Sequence, residues 1–330
     1  MAQLLKVHGS MNQFFILDQD ELDQPLSQAE LVKLAQLLCD HQRGPLGGAD
    51  GLLVVDAGTH EGVRGRMQVI NADGSIASMC GNGLRTVSRY LSEKYGEDQF
   101  VVQTQDADLR VRKEQELATG VPAFAVEISP VSFAAETLPY TNLGHQRLLN
   151  TAVPELAPHL RFSALSIPNP HLISFVSQEV LNGNLLGELG SYLNGDNPYF
   201  PDGVNVNFAH IDGENQLFVQ TYERGVGFTN ACGTGMSATS LAFVLTHPDM
   251  AAFNTPLKIY NPGGMVKTIV HHDHHAYWVE LVGNATVTAR LTVAEALLHH
   301  VQLTSDDVQV EPTAEQTNYD HFVSAVRHQR

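Results

Sequence analysis

The chain has 330 residues, enough for two domains with their own hydrophobic cores at roughly 150 residues each. Its 19 Lys and Arg stand against 36 Asp and Glu, a net charge of -17, and so acidic a surface repels phosphate backbones and anionic headgroups, which argues against nucleic-acid and membrane-surface roles. The N-terminal residues lack a basic-then-apolar leader, and no apolar run reaches the roughly 18 residues a spanning helix needs, so a cytoplasmic location is expected. The three cysteines, Cys39, Cys80 and Cys232, show no C-x-x-C spacing, so neither a disulfide framework nor a thiolate zinc site is suggested.

In chain order, the first periodic segment runs from Gln28 to Cys39, where Leu31, Leu34, Ala35 and Leu38 share a helical face; Cys39 then packs at its end. A strand is expected at Leu52–Asp56, a helix from Leu84 to Tyr95, and strands at Phe100–Thr104, Phe124–Ile128 and Val204–Phe208, each bounded by Gly, Pro or Asp. Further helices are expected from Met236 to Leu245 and from Val293 to Val301. The fold class is therefore α+β, with many strands around few helices.

An internal echo organises these elements. Met79-Cys-Gly-Asn-Gly-Leu-Arg and Ala231-Cys-Gly-Thr-Gly-Met-Ser carry Cys-Gly-x-Gly at the same offset, and a polar, glycine-containing segment begins nine residues before each cysteine, at Asn71 and at Glu223. The chain reads as two related halves, one over residues 1–133 plus 290–330 and one over 134–289, with one such helix start in each. Duplicated halves of this kind are expected to bring the two starts face to face in an interdomain cleft.

A cysteine just before a helix has its sulfur near unpaired N–H groups and the positive end of the helix dipole, which favours the thiolate. The glycines that follow leave those N–H groups open to a carboxylate. Two such sites facing each other would hold one carboxylate with a sulfur on each side of its α-carbon, a two-base geometry for inverting an amino acid. No pyridoxal Schiff-base lysine stands out, so the carbanion would have to be stabilised electrostatically and shielded from water.

At these residues the chain resembles the diaminopimelate epimerase family. The first motif reads Asn71-Ala-Asp-Gly-Ser-Ile-Ala-Ser-Met-Cys80-Gly81-Asn82-Gly-Leu-Arg85, and the second Glu223-Arg224-Gly-Val-Gly-Phe228-Thr-Asn-Ala-Cys232-Gly233-Thr234-Gly235. Matches at His8-Gly-Ser-Met-Asn12, Asn169-Pro-His171, Phe200-Pro-Asp-Gly-Val-Asn205-Val-Asn and Asn261-Pro-Gly-Gly follow in the family's order, close to full length. The resemblance implies two pseudo-symmetric α/β domains that close around the substrate, and interconversion of LL- and meso-2,6-diaminopimelate on the way to lysine. It implies Cys80 and Cys232 as acid/base thiols, with Gly81, Asn82, Gly233 and Thr234 cradling the reacting carboxylate. Asn71, Asn169, Asn205 and Arg224 would hold the distal amino-acid end, with Asn12 also in the pocket, while His171 and Glu223 bind the reacting ammonium or tune the thiols. No cofactor and no metal are implied, the small-molecule substrate is the one partner, and a homodimer is left open.

The chain departs from the family pattern at four places: Phe228 stands where Glu is usual, Thr86 where Cys follows the arginine, Gln13 where Asp follows the asparagine, and Pro168 where Gly precedes Asn-Pro-His. Phe228 removes a carboxylate four residues before Cys232, and a racemase for another amino acid on the same scaffold is the nearest alternative. Proline racemases carry His where this chain has Asn82. A cysteine hydrolase built on His171 leaves the second matched thiol unexplained, and a binding protein without turnover has no need of both. The run His271-His-Asp-His-His275 reads as a solvated turn between two strands rather than a metal site.

Overall fold

A computed structural model describes residues 1–134, 136–273 and 276–328. By internal contacts the chain forms two compact units, Met1–Val126 with Gly283–Arg330, and Glu127–Val282. The helices are α1 (Gln28–Cys39), α2 (Gly81–Tyr95), α3 (Gln178–Leu181), α4 (Leu185–Leu193), α5 (Gly233–Thr246), α6 (Glu295–His300) and α7 (Glu315–His328).

In the first unit, the hairpin Ala2–Gly9/Asn12–Asp18 lies parallel to Gly51–Asp56 after a crossover through α1. The second strand of the next hairpin, Gly65–Asn71, is followed by the two-residue strand Ile76–Ala77 and then α2. The chain returns parallel to Gly65–Asn71 as Gln99–Gln103 and turns back antiparallel as Asp108–Glu114. The second unit repeats this order. Arg161–Ser166/Pro170–Phe175 is followed by a crossover through α3 and α4 to a parallel Asn205–Gly213, which pairs with Gln216–Glu223. A short strand Gly227–Thr229 then leads into α5, and Pro256–Asn261 returns parallel to Gln216–Glu223 before turning back as Gly264–Asp273. The duplicated motif thus sits on a duplicated topology, and each cysteine lies where a short strand feeds a buried helix.

Local chemistry sets these elements. Helix α1 opens on a capping box, with Ser27 and Glu30 each satisfying the other's backbone N–H, and its apolar face, Leu31, Leu34, Ala35 and Leu38, packs on Leu52, Val54 and Ile70. Cys39 belongs to the same core, where burial pushes its thiol up to about 12, so it is an inert packing residue. Gly96 in the left-handed region closes α2. In the second unit Leu186, Leu189 and Leu193 of α4 pack with Phe162, Phe200, Val206 and Phe208.

The expected helices start late. Both α2 and α5 begin at the glycine directly after the cysteine, because the capping sulfur and the glycine-rich first turn belong to the helix although no apolar period marks them. Val293 ends a strand rather than starting α6. Helices α3 and α4 carry too short a periodic run to stand out in sequence. His271 and His272 belong to the strand Gly264–Asp273 rather than to a turn, stacked on Trp278 and Tyr277 at 3.8 and 4.5 Å between centroids; His274 and His275 lie outside the described residues. No helix among the described residues is long and apolar enough to cross a membrane.

Candidate active site

In the first unit Cys80 is the N-cap of α2, its backbone extended (φ -144°, ψ 107°) and its sulfur 3.4 Å from the Gly83 N–H. The extended backbone turns the sulfur back over the open first turn, where Gly83 leaves room: a Cβ there would stand 2.8 Å from Leu53 and 3.6 Å from the Cys80 sulfur. The thiol points to Asn12 Oδ1 at 3.8 Å, and the Asn82 amide donates to the same oxygen at 3.3 Å. Asn12 can present that oxygen because its Nδ2 is committed to the Asp50 carboxylate at 2.7 Å, and Asp50 also accepts the Gln13 N–H. Gln13 therefore takes part through its backbone, which any residue at that position supplies. Asn71 bonds within its own turn, Nδ2 donating to Ser75 Oγ at 2.9 Å, and Asp73 holds the same hydroxyl. Thr86 is buried and donates back to the Gly83 carbonyl.

In the second unit Cys232 is the N-cap of α5 (φ -104°, ψ 108°) and accepts the Gly235 N–H at 3.4 Å; the Thr234 hydroxyl lies 3.5 Å from its sulfur. This thiol is more deeply buried than Cys80. Burial pushes it well above the ordinary thiol range, and the Glu223 carboxylate, which accepts the thiol's hydrogen bond, pushes the same way against Thr234 and the Gly235 N–H. Glu223 is fixed by Thr229, whose hydroxyl donates to Oε1 at 2.6 Å.

Behind α5 runs a buried amide chain. His171 is fully buried; desolvation, with the Arg224 charge adding, lowers its pKa to about 3 and keeps the imidazole neutral. Its Nδ1 accepts from the Asn207 amide at 3.1 Å, which leaves Nε2–H to donate to Asn169 Oδ1 at 3.1 Å. Asn207 Oδ1 accepts from Thr221 at 2.8 Å, and a Cβ at Gly235 would lie 2.4 Å from that oxygen. The histidine thus reaches the Cys232 turn through Asn207, and what it supplies is orientation rather than charge. Asn205 donates to the Pro170 carbonyl and accepts the Arg224 N–H at 2.9 Å, while the Arg224 guanidinium donates to the Asp202 carbonyl at 3.0 Å. Phe228 is exposed at 63%, its ring edge-on to Tyr222 at 5.5 Å and against Gly187 of α4, so the side chain in the family's Glu position covers helix α4.

The structure gathers Cys80, Asn82 and Asn12 around one helix start, and Cys232, Thr234 and Glu223 around the other. His171, Asn169, Asn205 and Arg224 form the adjoining network of the second unit. Sequence reasoning missed Asp50, Thr229, Thr221 and Asn207. Only Asn207 carried a usable signal, since Asn205-Val-Asn207 places two amides on one face of a strand. Among the described residues no cluster of three or more His, Cys, Asp or Glu side chains is arranged as metal ligands.

Solved structures with this fold include a PhzF-family phenazine biosynthesis protein from Bacillus anthracis (TM-score 0.61, 13% identity, 88% of this chain and 97% of that one). Another is a hydroxyproline epimerase from Agrobacterium vitis with bound trans-4-hydroxy-L-proline (TM-score 0.56, 15% identity, 88% and 90%). The diaminopimelate epimerase family model matches residues 4–125 and 163–288, which include both cysteine motifs. The diaminopimelate epimerase of Ligilactobacillus salivarius is 53% identical over 98% of each chain, and that of Enterococcus faecalis 48% identical over the same shares. The chain belongs to the diaminopimelate epimerase family.

Proposed function

We propose that the chain interconverts LL- and meso-2,6-diaminopimelate, with Cys80 and Cys232 as the two acid/base groups. Diaminopimelate epimerase is the activity named for relatives about half identical over nearly the full length, and it makes the chain an isomerase of lysine biosynthesis. The observation that carries the residue assignment is the matched pair of N-capping thiols, each over a glycine-rich first turn, in a chain of this family. Inversion at Cα needs one group to remove the proton and another to deliver one from the opposite face, and a single residue type that works both as base and as acid suits a reaction run in both directions.

The remaining roles follow from the donors. The first-turn N–H groups at Gly81, Asn82, Gly233 and Thr234 suit the reacting carboxylate, whose growing enediolate charge they stabilise in the transition state. Asn12 orients the Cys80 thiol, Glu223 holds the proton on Cys232, and the neutral His171 fixes Asn169 through Nε2–H. Arg224 with Asn71, Asn169 and Asn205 receives the distal carboxylate and ammonium, which lysine would satisfy only in part. A cytoplasmic, homodimeric enzyme acting without pyridoxal completes the reading. Solvent deuterium tests the two-base claim: in D2O, product formed early should carry deuterium at the inverted carbon while remaining substrate carries little. Product that retains the original hydrogen would show one group serving both faces.

A further inference from the structure

Helix α2 carries a burden that α5 lacks. Arg85, five positions after Cys80, is completely buried, with Nε donating to the Asn284 carbonyl at 3.1 Å and Nη2 to Ser10 Oγ at 3.0 Å, while Nη1 has no hydrogen-bond partner among the described residues. No carboxylate pairs with it among the described residues. At the corresponding position α5 has Ser237, bonded to its own helix at the Gly233 carbonyl.

A buried, unpaired cation is strongly destabilising, and placing it near the positive end of a helix adds to the cost. Two strands are nonetheless shaped to admit it. A Cβ at Gly9 would stand 2.8 Å from Nη2 and 2.7 Å from the Asn82 carbonyl, and one at Gly283 would stand 2.9 Å from Cζ. The guanidinium therefore lies beside the backbone of Asn82, in the turn that Cys80 caps. Its titratable neighbours leave it unmatched. His8 is held neutral by burial at about 4, Tyr319 of α7 is a buried phenol pushed up by desolvation, and the ring of Tyr319 meets His8 edge-on at 4.7 Å. Glu315 is taken by Arg89, which also holds Glu93, Asp320 is bonded to Gln316, and Arg327 adds positive charge.

We propose that Arg85 is a positioning residue whose buried cation is left unmatched so that negative charge at the α2 start, first the Cys80 thiolate and then the substrate carboxylate, completes it. The inference rests on the reading of Cys80 as an acid/base thiol. Burial lowers Arg85 only to about 10, so it remains a cation at neutral pH, and the Cys80 charge acts on it in return. The two thiols then differ by design: a cation favours thiolate at Cys80, and a carboxylate favours thiol at Cys232.

The test is the pH dependence of iodoacetamide alkylation at Cys80 in the full chain, mapped by peptide mass spectrometry, for wild type, Arg85→Met and Arg85→Lys, with Cys232 as internal control. Met should raise the Cys80 midpoint by about one unit, roughly a tenfold slowing at neutral pH. Lys should restore it to within about 0.3 unit, and Cys232 should not move. A Met shift below that margin, a Lys variant shifted as far as Met, or equal shifts at both cysteines overturns the proposal. Should Met fail to fold, Arg85→Gln, which keeps polar contacts but not the charge, decides by the same margins. Alkylation is read without turnover. Retained activity in Cys80→Ala would thus sink the catalytic reading separately.

Discussion

The two helix starts share a backbone and differ in everything around it. Each has an extended cysteine N-cap, a glycine two residues into the helix and a sulfur 3.4 Å from that glycine's N–H. Around Cys80 the neighbours are a fixed amide oxygen and a buried guanidinium; around Cys232 they are a carboxylate, a hydroxyl and deeper burial. The two copies of one geometry differ nine residues before and five residues after each cysteine, Asn71 against Glu223 and Arg85 against Ser237.

The largest expected effect treats the two as equals. Cys80→Ala and Cys232→Ala should each lower the rate of Cα inversion by about 10³-fold or more, the scale of a lost general acid or base, followed as the ratio of LL to meso product. A single mutant with near wild-type turnover would break the pairing. Arg224→Ala, by contrast, should act mainly on KM, raising it about 30-fold for a lost charged contact of about 2 kcal/mol while kcat changes little, and diaminopimelate should lose its advantage over lysine. A fall in kcat of the same size would mean that the distal contacts also assemble the reacting geometry.

Among the described residues each unit also buries one neutral histidine, His8 at about 4 and His171 at about 3, both depressed by desolvation. Below about pH 6.5 the unfolded chain binds protons that these folded sites exclude, so stability falls as pH drops from there toward the folded values. At pH 5 each should cost about 2 kcal/mol, read as a lower urea midpoint than at pH 7. His171→Gln should flatten that pH dependence by about half; an unchanged slope would show that His171 is protonated as readily folded as unfolded. Smallest is Glu223→Gln. Removing the carboxylate should lower the Cys232 thiol pKa and speed its alkylation at pH 8 about tenfold, with no change at Cys80. If Cys80 responds as well, the two environments are not independent.

Much of the site was legible because its key feature is local. A cysteine directly before Gly-x-Gly specifies an N-cap and open N–H groups within four residues, so the helix starts at Cys80 and Cys232 are legible in the local sequence. The α1 helix and the strands around Leu52 and Phe124 were equally plain, since periodicity and bounding residues are short-range signals. The polar partners were not. Asp50, Thr229 and Thr221 are ordinary-looking residues whose meaning comes only from the side chain they fix, and the packing of Phe228 on α4 and Tyr222 is likewise beyond any local pattern.

The duplicated α+β plan, the two N-capping cysteines and the acidic composition can be read from the chain directly, because motif spacing and net charge do not depend on how it folds. Folding decides which distant groups fix the side chains around each thiol. Arg85 finds Asn284 199 residues away, and Asn12 finds Asp50 across 38. His171 finds Asn207 across 36. Hydrogen bonds and Coulomb interactions in a desolvated interior act over a few ångströms, and proximity on that scale is set by strand register and helix packing, which no local pattern records.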